Sequence, residues 1–362
     1  MENRTPLYEE HVKLNASMVD FHGWAMPMQY GKILDEHMAV RNSAGIFDVS
    51  HMGDVIISGS DAERFLLHVL PTDITVLHDG DAAYTAFLNN DGNIIDDTIV
   101  YRINHEKFYI VPNAATTSVV FNWLRDNSHD FKVQISDVSN KIACIALQGK
   151  RSLEILDRMN MKYPGDFKFY ELVSDEYSEN YLTGNRGIIV SGTGYTGEKG
   201  VEFLVPSDNA VMLWRKLLSE VSAIGGGPCG LGSRDTLRLE KGMLLSGTDF
   251  SSDRNPNECS ISFIVTNKNQ YIGREALDSG KKKEIFRGIK MEGKIIPRSG
   301  SQVYHGNTLI GMVTSGTLSP VLGTAIALAF VDRNFSKPGT EVEVTVRDRK
   351  LKGVISRPRM VP

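Results

Sequence analysis

From Ala83 to Val111 the chain reads AYTAFLNNDGNIIDDTIVYRINHEKFYIV, in which apolar residues fall into three short runs rich in Ile, Val, Tyr and Phe. Turn chemistry at Asn89-Asn90-Asp91-Gly92 and at Asn104-His105-Glu106 separates the runs and predicts a β-meander. In the middle strand a period of two puts Ile94, Asp96, Thr98 and Val100 on one face, with Ile95, Asp97, Ile99 and Tyr101 on the other. Strands disfavour Asp, so the pair Asp96-Asp97 needs a reason. Facing opposite ways, the two carboxylates cannot form an acid/base dyad. One is directed to solvent or a capping group and the other to the interior, and the pattern does not choose between them. An interior carboxylate is either satisfied by backbone donors or aimed at a pocket that holds a cationic substrate or intermediate.

Elsewhere the pattern alternates between periods. Ile33, His37, Val40 and Ala44 predict a helix stopped at Gly45, followed by the strand-like runs IFDVS and DVIISG. Ser60-Asp61-Ala62-Glu63 opens a helix over 61–69, and Ala115 to Asp126 reads as another, followed by the strand KVQISDVS. KIACIALQ is a buried strand before the helix RSLEILDRMN. Strand, helix, meander, helix, strand is the order of a split β-α-β unit with helices on one face of an antiparallel sheet. GIIVS and VEFLVP as strands, then DNAVMLWRKLLSEVSAI as a helix, suggest an internal structural duplication without a residue-level repeat.

Gly192-Thr193-Gly194-Tyr195-Thr196-Gly197 satisfies the G-x-G-x-x-G pattern of dinucleotide sites. That pattern needs a helix directly afterwards, and here an alternating strand follows, so the segment is read as a Gly-rich hairpin. Tyr195 falls in its loop and Glu202 on the returning strand. A carboxylate there makes either a cross-strand ion pair or a two-point contact with a guanidine-like or aminopyrimidine edge. Beyond the break GGGPCG, Ser233 is predicted to cap a helix carrying Arg234, Asp235, Arg238 and Glu240. Arg234 is badly placed for the helix dipole and needs an anionic or carbonyl partner, unless Asp235 or Glu240 pairs with it. Lys281-Lys282-Lys283 reads as a linker to a last domain of short strands, IFRGIKM, QVYHG, TLIGMVTSG, TAIALAFV, TEVEVTV and LKGVIS, predicted to form a small barrel or sandwich. Its end is basic (Arg347, Arg349, Lys350, Lys352, Arg357, Arg359), either as a solvated strand face or as a dock for an acidic protein.

With 41% hydrophobic and 23% charged residues the 362-residue chain belongs with globular proteins of two or three domains. A formal net charge of -4 gives no whole-chain case for nucleic-acid binding. Cys144, Cys229 and Cys259 are widely spaced and odd in number, which signals neither disulfides nor zinc and fits a reducing cytoplasm. MENRTPLYEEH lacks an apolar leader, and the longest apolar run, near Val321 to Val331, is too short to span a bilayer. His22, His37 and His51 lack close metal-ligand spacing and read as packed histidines, so no metal is expected.

VDFHGWAMPMQY, AVRNSAGIFDVSHMG, DGNIIDDTIVY, IALQG, GTGYTGEKGVEF, GLGSRDTLRLEKGM, YIGREAL and VTSGTLSP occur in that order across essentially the whole chain. As an ordered set they closely resemble the T-proteins of the glycine cleavage system, tetrahydrofolate-dependent aminomethyltransferases. The resemblance implies an α+β fold of three lobes. Two are ferredoxin-like or antiparallel α+β lobes around a central folate channel (roughly 1–50 with 140–240, and 51–139 with 241–280, within a core of 1–280), and the third is a C-terminal β-barrel over 284–362. It implies that an aminomethyl group on the lipoyl arm of H-protein is split, with ammonia released and the one-carbon unit passed to tetrahydrofolate as the co-substrate. Asp96 matches the family's catalytic aspartate. Glu202 and Arg234 match its folate-binding pair, and Tyr84, Tyr101, Tyr195 and Met52 match positions lining the folate channel.

The chain departs from the family at Ser260-Ile261-Ser262-Phe263, where a Gly-Leu-Gly-Trp run is usual, and at Ser246, where a Tyr is common. It ends at Pro362, where some members continue to a folate-reaching tyrosine, and Lys241-Gly242-Met243 stands where the iron-sulfur-linked folate-binding relatives carry their KGC signature. Two other functions use the same features: a folate-dependent demethylase of a small methylated substrate, and a folate-binding module without chemistry.

Overall fold

The computed structural model describes residues 2–161, 189–280 and 283–362. Lys281 and Lys282 of the predicted linker, and Gly187 and Ile188 of the predicted strand GIIVS, lie outside the described residues. The elements run in the order β1 (Asn3–Arg4), α1 (Tyr8–Lys13), β2 (Ser17–Phe21), β3 (Trp24–Gln29), α2 (Ile33–Asn42), β4 (Gly45–Asp48), β5 (Val55–Ser58) and α3 (Ala62–Val69). The meander β6 (Ala82–Leu88), β7 (Ile94–Asn104) and β8 (Lys107–Ile110) follows, then α4 (Thr117–Asp126), β9 (Gln134–Asp137), β10 (Ile142–Gln148) and α5 (Ser152–Arg158). Next come β11 (Ile189–Ser191), β12 (Gly200–Pro206), α6 (Ala210–Ala223), β13 (Gly227–Pro228), α7 (Leu231–Lys241) and α8 (Arg274–Ser279). The last six strands are β14 (Glu284–Met291), β15 (Gln302–His305), β16 (Thr308–Leu318), β17 (Ala325–Asp332), β18 (Glu341–Val346) and β19 (Arg349–Ser356).

Contacts divide the chain into two compact units, one of Met1–Val69, Asp73–Thr85 and Asp97–Arg234, the other of Leu70–Thr72, Ala86–Asp96 and Asp235–Pro362. Two five-stranded sheets have the orders β6-β7-β8-β5-β9 and β11-β12-β10-β4-β13. In the first, β5 lies antiparallel between β8 and β9. In the second, β10 lies antiparallel between β12 and β4, while β13 runs parallel to β4. Both therefore carry one strand order, 7-8-5-9 and 11-12-10-13, with β4 inserted in the second. This is the duplication suggested by the strand and helix order, and it needs no repeated sequence because register and handedness are set by alternation rather than by identity.

The core of the first unit forms where α6 presents Leu213, Trp214, Leu217 and Val221, spaced by three and four, to Ile145, Leu147 and Phe203 of the second sheet. A small third sheet, β1-β3-β2, was not evident in the punctuated stretch VDFHGWAMPMQY. Its β2–β3 hairpin turns on His22 and Gly23, both at positive φ (52° and 83°), the conformation that a type I′ hairpin turn needs.

Ser233 does not cap α7. The helix begins at Leu231, and the Ser233 hydroxyl lies in its first turn, 2.9 Å from Gly230 O and 3.1 Å from Glu36 Oε2. The capping acceptor is Glu36 on α2, whose Oε2 takes the Gly230 amide at 2.9 Å while Oε1 takes the amides of Tyr30 and Gly31 at 2.6 and 3.1 Å. A buried carboxylate supplied from a distant helix thus does the work expected of the local serine.

In the second unit, β14-β17-β16-β15-β18-β19 close a six-stranded barrel, β14 pairing with β19. Ile289, Val303, Ala327, Val331, Val344 and Ile355 fill it. Between Val313 and Ser315 the register of β16 slips, and this bulge lets Thr314 and Ser315 both donate to Asp249 Oδ1. Asp249 Oδ2 takes the Leu245 amide at 2.9 Å and Arg238 Nη1 at 2.6 Å. The guanidinium also reaches Asp235 (2.8 Å), Met243 O (3.0 Å) and Ser315 (3.0 Å).

Candidate active site

The structure resolves the choice between the two carboxylates. Along β7 burial alternates so that Ile94, Asp96, Thr98 and Val100 face inward, and Asp96 is 0% exposed. In the second unit, the Ser246 hydroxyl donates to Asp96 Oδ1 at 2.8 Å. Ser246, known from the sequence only as a replacement for a tyrosine, is therefore a direct partner of the candidate catalytic group. Asp97 faces the other way and is held by Tyr84 Oη at 2.7 Å and Asn113 Nδ2 at 2.9 Å.

The remaining candidates belong to the first unit. Glu202 on β12 accepts from the hydroxyl of Thr193, a residue of the Gly-rich hairpin that joins β11 to β12. Thr193 and Ser191 lie 3.3 and 3.1 Å from Tyr101 Oη, so a chain of hydroxyls links Tyr101 on β7 to Glu202 on the other sheet. Of the two fates weighed for Glu202, the described contact is a hydroxyl rather than a cross-strand ion pair. Tyr101 is buried, and burial first, then the Glu202 charge, raises its phenol above the usual range and keeps it neutral. Gln148 braces the hairpin, donating to Thr193 O at 3.0 Å and accepting from Thr196 at 2.8 Å.

Arg234, in the first turn of α7, lays its guanidinium over the Tyr195 ring at 4.6 Å from the centroid. Asp235, one of the two partners weighed for it, is engaged by Arg238. Met52 is half-buried, its amide 3.2 Å from Val49 O. The structure thus joins Tyr101 with Glu202 through Thr193, and Tyr195 with Arg234. It places Tyr84 on Asp97, and Asp96 with Ser246 in the second unit.

Two other buried groups of the first unit respond to pH with opposite signs. Asp54 is wholly buried against Tyr109, and burial, only partly offset by the Tyr109 hydrogen bond, raises its carboxyl to about 8. Its folded form therefore holds a proton that the unfolded chain releases above the ordinary value of 3.8, so this contribution to stability is full below 3.8 and is lost as pH rises through about 8. His51 has the opposite sign. Burial first and the Arg234 charge second lower it from 6.5 to about 4, so its contribution is full above 6.5 and declines as pH falls towards 4. Urea unfolding at pH 6 and pH 9 is expected to show the parent losing stability over that interval and Asp54→Asn losing less. Equal losses in both proteins would remove Asp54 as the cause.

Among the described residues no helix is long and apolar enough to cross a membrane. The chain matches the GCVT N-terminal domain over residues 7–269 and the glycine cleavage T-protein C-terminal barrel domain over residues 286–361. It is 41% identical to an aminomethyltransferase of Caldanaerobacter subterraneus subsp. tengcongensis over 97% of this chain and 94% of that protein. With an aminomethyltransferase of Staphylococcus carnosus it shares 40% identity over 99% of this chain and 98% of the relative. The crystal structure of the glycine cleavage system aminomethyltransferase T from Bartonella henselae superposes with a TM-score of 0.90 at 29% identity, covering 100% of this chain and 98% of that one.

Proposed function

Because the chain belongs to the glycine cleavage T-protein family, matching both its N-terminal domain and its C-terminal barrel, we propose that it is a tetrahydrofolate-dependent aminomethyltransferase. The observation that carries this is identity of about 40% to proteins of that name over nearly the full length of both chains. The donor is an aminomethyl group on the lipoyl sulfur of H-protein. Its C–N and C–S bonds break while the carbon gains bonds to N5 and N10 of tetrahydrofolate. The two protons lost by the folate nitrogens end on the departing amine and on the lipoyl thiol, giving ammonia and methylene-tetrahydrofolate. We place the reaction in the cytoplasm, in keeping with three free cysteines, all buried.

Asp96 is the catalytic residue in this reading, and it acts by electrostatics. Removed from water and oriented by Ser246, its carboxylate stabilises positive charge that develops on the transferred carbon. Glu202 offers acceptors to the amino-pyrimidine edge of the pterin. Arg234 serves a ligand oxygen, while the rings of Tyr84, Tyr101 and Tyr195 and the thioether of Met52 pack against its flat faces.

The test is ammonia release from H-protein loaded with an aminomethyl-lipoyl group, with and without tetrahydrofolate. Strong folate-dependent release is expected. Absence of release with folate still bound would point to a carrier-independent demethylase or a binding module. Glu202→Ala is expected to weaken tetrahydrofolate binding by about tenfold or more, the scale of one charge-assisted hydrogen bond. Unchanged affinity in a titration would take Glu202 off the pterin.

A further inference from the structure

His51 is a buried imidazole whose Nδ1 has no hydrogen-bond partner among the described residues. It is 3% exposed, Nδ1 is wholly enclosed, and its ring meets the edge of Phe21 at 5.5 Å and 90°. His11, another buried histidine of the same unit, is bonded on both sides, by Asp48 at 2.8 Å and Tyr30 at 2.8 Å. A buried ring nitrogen left without a partner is costly unless a ligand supplies one. His51 directly precedes Met52 and lies within the electrostatic reach of Arg234.

We propose that His51 contacts the co-substrate, donating an N–H hydrogen bond to the ring carbonyl oxygen of the pterin beside the Arg234 guanidinium. This rests on the folate-dependent reading above and adds a residue to it. The choice of ligand atom follows from charge. A protonated amine would be repelled by Arg234 and could only donate, whereas a carbonyl oxygen accepts from an imidazole and a guanidinium together. The ring is uncharged at neutral pH, because burial and then Arg234 hold it there, so it has one N–H to give and adds no second positive charge beside the guanidinium.

The experiment compares tetrahydrofolate with its 4-amino analogue, in which the ring oxygen is replaced by an amino group. Binding to the full chain is measured for the parent, His51→Leu and His51→Gln. The parent is expected to prefer the oxo form. His51→Leu should weaken the oxo form about tenfold, with the amino form changed less than threefold, so the preference collapses, and the amide N–H of His51→Gln should restore part of it. Equal weakening of both ligands, or an unaltered preference, would show that His51 only supports the fold. Should His51→Leu fail to fold, the ratio measured on His51→Gln decides: a preference for the oxo form kept at least in part supports the contact, and one lost entirely overturns it. If the parent itself binds neither ligand, it is the folate-dependent reading that fails, and this inference with it.

Discussion

Asp96→Asn is expected to give a folded protein that binds tetrahydrofolate within a few-fold of the parent and releases ammonia at least about a hundredfold more slowly, the scale on which one electrostatic contributor acts. Asparagine keeps the size of the side chain and an oxygen to accept from Ser246. What it removes is the negative charge. The effect should therefore appear in kcat rather than in KM for folate, and Ser246→Ala, which leaves the charge but loosens its orientation, should cost far less. Turnover retained in Asp96→Asn would strip Asp96 of its role.

The largest expected effect on stability is at Arg238. Its guanidinium is 1% exposed and Asp249 opposite it is 3% exposed, so Arg238→Met leaves a carboxylate buried without its counter-charge, a change that costs about 3–5 kcal/mol. Chemical denaturation of Arg238→Met should show that loss. A second change that removes the stranded charge, Asp249→Asn, should recover part of it, because it keeps an acceptor for the Leu245 amide and the Thr314 and Ser315 hydroxyls. A double variant less stable than Arg238→Met would contradict this ordering.

Much of the fold is legible in the sequence because it depends on local rules. The meander follows from two turn signals and β-forming residues, the barrel from short strands between Gly, Pro and Asn, and the Gly-rich hairpin from the strand that follows it. The site was legible only through the family resemblance. Alternation showed that Asp96 and Asp97 face opposite ways, but which face is interior depends on what packs on β7. Ser246 lies 150 residues from Asp96, and Glu36 lies 194 residues from the amide it caps. Contacts of that separation are set by chain topology, and no propensity at either residue announces them. His51 is packed, as its place beside aromatic residues predicts, but its Nδ1 has no hydrogen-bond partner among the described residues, and only its surroundings could show this.

The route of the chain has a consequence for its synthesis. The segment Ala86–Asp96 belongs to a unit whose other residues are Leu70–Thr72 and Asp235–Pro362. A ribosome that has emitted the first 234 residues has therefore produced Asp96 but not Ser246, the hydroxyl that donates to it. Until translation reaches the barrel, the nascent chain carries Ala86–Asp96, with the apolar Ala86, Phe87, Leu88 and Ile94, without the greater part of the unit to which they belong. Pausing before residue 235 should be the interval in which this protein depends most on a holding chaperone.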